Sequence, residues 1–334
     1  MTQLEKLPGQ HMAQEASEAL EVCASAVLQS VDVSQIGGAS SFFTIARGSS
    51  DAAANILSYE FMRELGVPMT SLPPSVFSLG NGVALNGSTA IIVSQSGASD
   101  DLVRSAIGAK AAGANVIAVT NQPDSPVEQQ SDGTVPIGAG PERAVPATKT
   151  VCGSIGAGQA ILSALSSDYR TRAVRDAKVL SGVSVGFDQA ERLQSSLLRA
   201  RHVYVIGRDT GYGAAIEIAL KLKECVAIHA EAYSASEVLH GPLQLATNPL
   251  MVLILDTGLP ETQDSLDQAE ARFEKEDCDV LRVRVSDFGV ALETPAASAS
   301  LLLAAIYPII LKTALALGYD PDTPDTLSKV TQTR

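Results

Sequence analysis

An α/β fold of two similar lobes, each a mostly parallel sheet flanked by helices, is predicted by three observations. From about residue 41, short β-rich runs alternate with longer helical ones. The middle, from about 147 to 200, is almost wholly helical in character, and the alternation then returns. Strand–loop–helix repetition is the pattern of parallel sheets whose crossover helices cover both faces.

In the first lobe, SFFTIA (41–46) reads as a strand, RGSSD as a loop, and AAANILSYEFMREL as a helix stopped by Gly66. VPMTSLP follows as a strand. STAIIVS (88–94) is a second, then come the loop QSGAS, the helix DDLVRSAIGAKAAG and the strand NVIAVT. The helical middle is rich in Ala, Leu, Ser and Arg, with Gly182 and Gly186 marking a break. In the second lobe, HVYVIG (202–207) is a strand, RDTGYG a loop and AAIEIALKLKECV a helix. PLMVLILD is a strand, TGLPE a loop, DSLDQAEARFEKED a helix and DVLRVRV a strand. TIARGSSDAAANILSYEF matches YVIGRDTGYGAAIEIALKLKE in layout, which predicts an internal duplication. The expected organisation is an N-terminal helical segment (1–40), a first lobe with connecting helices (41–180), and a second lobe with a C-terminal tail (181–334).

The 334 residues carry a formal net charge of −13, which argues against a nucleic-acid surface. Net charge does not exclude anionic ligands, because a phosphate site is built from local amides and hydroxyls. Cys23, Cys152, Cys225 and Cys278 make no CxxC, so neither a zinc knuckle nor a disulfide framework is expected. Free thiols and no recognisable signal peptide fit a reducing cytoplasm. LLLAAIYPIILKTALALG is interrupted by Pro308 and Lys312 and reads as a buried helix, with no membrane span expected.

Ligands of open parallel sheets bind at the carboxyl ends of strands. SQSGASDD (94–101) lies at such an end, with three serine hydroxyls, a glycine and Ser99 as N-cap of the next helix. Free amides at a helix start suit a dianion, but an ordinary capped helix would look the same. Neither GxxxxGK[ST] nor a lead-strand GxGxxG is present, which disfavours nucleotides. RGSSD (47–51) sits one strand earlier with the same Gly-plus-hydroxyl chemistry, and two such loops could face one phosphosugar.

Glu217, Lys221 and Glu224 are spaced i, i+4, i+7 and share a helix face. They read either as a solvated salt-bridge ladder, with Ile216, Ala219, Leu220 and Leu222 on the packed face, or as a site in which Glu224 is a general base. In EAYSASEVLHGP (231–242), Glu237 and His240 have the i, i+3 spacing of metal-binding helices. His229 and Glu231 add an HxE, but no second ExxH and no HExxH exist, so no metal is expected. There is no GxSxG and no Cys beside a His for a nucleophilic triad.

SQSGASDD, GPERAVPATKT (140–150), LKLKECVAIHAEAYSASEVLHGPL (220–243) and the tail DTPDTLSKVTQTR together resemble the sugar isomerase (SIS) family. The nearest likeness is to the isomerase half of glucosamine-6-phosphate synthases and to their stand-alone relatives. The resemblance implies that Ser94, Gln95, Ser96 and Ser99 hold a sugar phosphate. It implies that Ser49, Ser50 and Val145 border the sugar, and that Glu224 moves the proton between C1 and C2. By the same resemblance His240 assists ring opening from the neighbouring subunit of a homodimer. Lys329 can form a Schiff base with a ketose phosphate, and Lys221 lies close by. The chemistry implied needs no cofactor. Departures from the synthase pattern are Arg47 in place of Cys, Ala98 in place of Glu, and Pro146–Ala147 in place of a small residue and serine.

A start of MTQLEKLPGQ lacks the N-terminal cysteine of a glutaminase, so the expected reaction is deamination, glucosamine 6-phosphate to fructose 6-phosphate and ammonia. Alternatives of the same class are a galactosamine-6-phosphate deaminase/isomerase and a fructosamine-6-phosphate deglycase. From another class comes a non-catalytic phosphosugar sensor, disfavoured because the first 40 residues are too few and too acidic for a DNA reader.

Overall fold

The computed structural model describes residues 7–34 and 36–329; the first six residues and the last five of the tail fall outside the described residues. After α1 (Gln10–Val27) the first lobe runs β1 (Ser41–Ile45), α2 (Ser49–Leu65), β2 (Met69–Ser71), α3 (Ser75–Ser78), β3 (Ser88–Ser94), α4 (Asp100–Ala111), β4 (Asn115–Thr120), α5 (Pro126–Gln130) and β5 (Gly133–Pro136). Three helices follow: α6 (Lys149–Leu165), α7 (Ser167–Leu180) and α8 (Ala190–Arg199). The second lobe is β6 (His202–Gly207), α9 (Thr210–Val226), β7 (His229–Ser234), β8 (Met251–Asp256), α10 (Gln263–Lys275) and β9 (Asp279–Arg284), closed by α11 (Pro295–Ala316).

The sheets run β2-β1-β3-β4-β5 and β7-β6-β8-β9, with every described pairing parallel. The two orders superpose element for element, β1 on β6, β2 on β7, β3 on β8 and β4 on β9. The duplicated layout of the sequence is thus a duplicated topology. In each sheet the chain turns back between the first strand and the third, and that switch point opens a crevice at the strands' carboxyl ends.

Two strands escape the sequence reading. β7 is an edge strand with only Ala230 and Ser234 buried, so His229, Glu231 and Tyr233 hide its β character. β5 is four residues, GTVP, on the other sheet's edge, where a proline is tolerated.

The largest apolar cluster fills the space between the sheets, with contributions from α1, α2, α6, α7, α9 and α11; smaller ones line the outer faces under α4 and α10. α11 carries Pro308 within it. Among the described residues it alone is long and apolar enough to cross a membrane by composition, and most of it is buried inside the protein.

The reading of α9 needs correcting. Its Glu217–Lys221–Glu224 stripe is no solvated ladder: Glu217 and Lys221 are fully buried, while Ile216 and Leu220 of the supposedly packed face are partly exposed. The cause is that α9 packs against α2 and α11 as well as against its own sheet, so Glu217 and Lys221 have no route to water and only Glu224, at the end of the stripe, stays partly exposed. Gly213 makes the α2 contact possible, since a Cβ there would lie 2.8 Å from the backbone N of Ile56. That close approach brings the start of α2 against α9, where the site forms.

Candidate active site

One cavity of about 390 Å³ lies at the switch point of the first sheet. Its walls come from four places: Arg47, Gly48, Ser49 and Ser50 after β1; Ser94, Gln95, Ser96 and Ser99 after β3; Val145 and Ala147 before α6; and Lys221 with Glu224 from α9. Leu327, Ser328 and Lys329 of the tail close it. Every site residue expected from the sequence, except His240, therefore lines one space.

The loop after β3 folds on itself. The Ser94 hydroxyl accepts the Gly97 amide at 3.0 Å, and the Ser96 hydroxyl accepts the Ala98 amide at 3.3 Å. Gly97 has φ +59°, and a Cβ there would fall 2.3 Å from Ser125 Oγ, so the turn requires glycine twice over. Ser99 occupies the N-cap position of α4 as expected, but its side chain makes no capping hydrogen bond. Ser99 lines the cavity, at the first turn of α4 and the positive end of its helix dipole.

The equivalent strand end in the second lobe is filled from within. Asp256 at the end of β8 accepts Arg282 Nη2 at 2.8 Å and Nε at 3.1 Å, together with the Gly258 amide and Gln263 Nε2. A carboxylate occupies the switch point there, whereas the equivalent strand end of the first lobe opens on the cavity.

Opposite the serines, Lys221 Nζ donates to Ser49 Oγ at 2.9 Å and to Glu224 Oε2 at 2.5 Å, and lies 3.4 Å from Glu217 Oε1. Burial acts to lower the Lys221 pKa, but the charges of Glu217 and Glu224 outweigh it and hold the ammonium well above its ordinary range. Glu217 is the carboxyl that burial pushes up, to about 7; it accepts Tyr307 OH at 3.2 Å, and its Oε2 is buried with no hydrogen-bond partner. Glu224 keeps 27% of its side chain accessible, at the cavity wall. A buried cation thus holds one carboxylate at the cavity and leans on another behind it.

Lys329 reaches the cavity from the tail and is fixed by a residue the sequence reading passed over. Its Nζ donates to Glu142 Oε2 at 3.0 Å. Glu142 is buried and also accepts the amides of Thr148 and Thr150 and the Thr150 hydroxyl. The one signal in the sequence was its place inside GPERAVPATKT.

His240 stands apart. It ends a 3-10 turn, Glu237–His240, is exposed, and does not line the cavity. His229 faces His202 across β7 and β6, with their Nδ1 atoms 3.4 Å apart, rather than Glu237 or His240. No group of three or more His, Cys, Asp or Glu side chains among the described residues is placed to hold a metal ion. A larger cavity, about 930 Å³, lies at the amino ends of β6 and β8 around His202, His229 and Leu250. It is at the end of the sheet away from the loops that bind ligands in parallel folds, and we assign it no chemistry.

The SIS domain pattern matches residues 35–164 and 196–281. A glutamine–fructose-6-phosphate aminotransferase (isomerizing) of Sulfurisphaera tokodaii is 30% identical over 301 residues, covering 89% of this chain and 51% of that protein. The chain spans about half the length of the curated relatives it matches. Among solved structures, a protein of Silicibacter pomeroyi DSS-3, provisionally named a phosphosugar isomerase, superposes with TM-score 0.81 at 30% identity, covering 93% of this chain and 99% of that one. Glucosamine-6-phosphate deaminase of Thermotoga maritima shares the fold, with TM-score 0.76 at 18% identity over 97% and 100% of the two chains. With both sheets and both matched stretches in hand, this chain belongs to the SIS domain family.

Proposed function

We propose that the chain is a phosphosugar isomerase that deaminates an amino-sugar phosphate, converting glucosamine 6-phosphate and water to fructose 6-phosphate and ammonia. The observation that carries this reading is the convergence of a hydroxyl-and-amide cradle, Glu224, Lys221 and Lys329 on one 390 Å³ cavity. The phosphate sits against Ser94, Gln95, Ser96 and Ser99, and this remote anchor positions the reacting carbons. Glu224 takes the proton from C2 of the open-chain sugar and returns it to C1, one carboxylate serving both transfers while the intermediate stays bound. Lys221 steadies charge developing on the neighbouring oxygen, and the resulting C2 imine is hydrolysed to ketose and ammonia. Lys329, held by Glu142, serves the ketose carbonyl, a role its place in the cavity lining supports. His240 acts on the ring oxygen from the second subunit of a homodimer.

The names of the relatives support a second direction, amination of fructose 6-phosphate, through the same geometry. Incubating the purified protein with glucosamine 6-phosphate or galactosamine 6-phosphate, and measuring ammonia and ketose phosphate, tests the reading. Fructose 6-phosphate with ammonium salt tests the reverse. Release from the gluco epimer is expected; no turnover in any arm overturns it.

A further inference from the structure

The position where a cation replaces the neutral residue of the synthase pattern, Arg47, lies inside the cavity. It follows β1, lines the same space as Ser49 and Ser99, and places Nη2 3.1 Å from Asp101 Oδ1 in the first turn of α4. Asp101 is only 4% exposed. A carboxylate in that turn faces the same helix end that the phosphate would use, and its negative charge opposes a dianion. Arg47 cancels that charge. Its guanidinium carries five N–H groups in a fixed fork, and the ion pair to Asp101 engages one nitrogen. The other cations of the cavity are differently placed: Lys221 is committed to Ser49, Glu217 and Glu224, and Lys329 to Glu142. Arg47, with 36% of its side chain accessible, is the cation at the α4 end with donors to spare.

We infer that Arg47 is a direct ligand of the substrate phosphate, latched in place by Asp101, so that this chain binds its anion through a guanidinium as well as through serines and amides. This rests on the phosphosugar reading and adds to it a charged phosphate contact. Arginine forks match phosphate oxygens in pairs, and such charge-assisted bonds are about twice as strong as neutral ones. The guanidinium therefore selects for phosphorylated over plain sugars more steeply than a serine cradle alone.

Calorimetric titration of the full chain with inorganic phosphate and with sorbitol 6-phosphate, an open-chain probe without a carbonyl, tests this. The expected outcome is that Arg47→Ala weakens both probes at least tenfold while Arg47→Lys, which keeps the charge but not the fork, falls between Arg47→Ala and wild type, with thermal melts confirming that both are folded. The double variant Arg47→Ala/Asp101→Asn separates contact from masking. If it stays weak, Arg47 touches the phosphate; if it recovers wild-type affinity, Arg47 merely hides Asp101 and the inference falls. Equal binding by wild type and Arg47→Ala also overturns it. Binding of neither probe by wild type instead fails the phosphosugar reading itself.

Discussion

Lys221 Nζ lies 2.5 Å from Glu224 Oε2, with the lysine wholly buried and the carboxylate at the cavity wall. One turn of α9 thus turns a charge that cannot reach water into a support for one that can. Glu224→Gln keeps the shape and the hydrogen bond to Lys221 but cannot accept a proton from carbon. Its kcat should fall by about 10²–10⁴, the usual range for a positioned base, with KM changed only a few-fold. Steady-state kinetics on whichever amino-sugar phosphate is turned over will show this. More than about a tenth of wild-type kcat would remove Glu224 from the proton transfer.

Glu142 and Lys329 form one ion pair with two different jobs. Glu142 is buried and terminates two amides and a hydroxyl besides the lysine, so Glu142→Gln should cost about 1–3 kcal/mol of stability by leaving donors unmatched. Lys329 is a quarter exposed at the end of the described tail, and without it the buried Glu142 keeps its three other donors, so Lys329→Ala should cost less stability than Glu142→Gln, about 1 kcal/mol. Urea melts of the two variants beside their kcat values separate the roles. A Lys329→Ala loss in melting as large as that of Glu142→Gln would make the tail structural.

The difference between Glu142 and Glu224 also shows what the chain discloses without coordinates. The sheets were readable because STAIIVS, HVYVIG and MVLILD are continuous apolar runs, as strands covered on both faces must be. β7 was not, because an edge strand that buries two of six residues carries little periodic signal. The cavity serines were readable from a Gly-Ser loop at a strand end. The burial of Glu217 and Lys221 was not, because i, i+4 charges look alike on a wet helix and on one enclosed by α2 and α11. Glu142 stayed hidden because its role depends on Lys329, 187 positions away.

Glu60 gives the protein a pH signature outside the site. It is 1% exposed, its Oε1 accepts Tyr169 OH at 2.9 Å, and its Oε2 has no hydrogen-bond partner. Burial raises its pKa to about 7, against an ordinary value of 4.5. The folded protein therefore binds the proton more tightly than the unfolded chain does. The stabilisation is full below the unfolded pKa and is lost as pH rises towards 7. Relative to Glu60→Gln, the wild type should lose on the order of 1 kcal/mol per pH unit between roughly 5 and 7. Chemical melts of both proteins at pH 5, 6, 7 and 8 check the slope. A difference that stays flat, or grows in favour of wild type with rising pH, contradicts a protonated Glu60.

His240 ends its 3-10 turn exposed and outside the cavity, so a role in ring opening requires a second chain. In a two-fold dimer that shares its sites, each site would take Glu224 from one subunit and His240 from the other. Glu224→Gln and His240→Ala homodimers should then each be nearly inactive on the cyclic sugar. Unfolding and refolding them together in equal amounts makes half the dimers mixed, and each mixed dimer rebuilds one intact site of two. Activity should return to about a quarter of wild type, a level that neither parent nor unmixed addition reaches. If His240 instead served its own chain, the mixed dimer would combine one defective site of each kind and nothing would return. A His240→Ala protein that ring-opens as fast as wild type would remove the residue from the chemistry altogether.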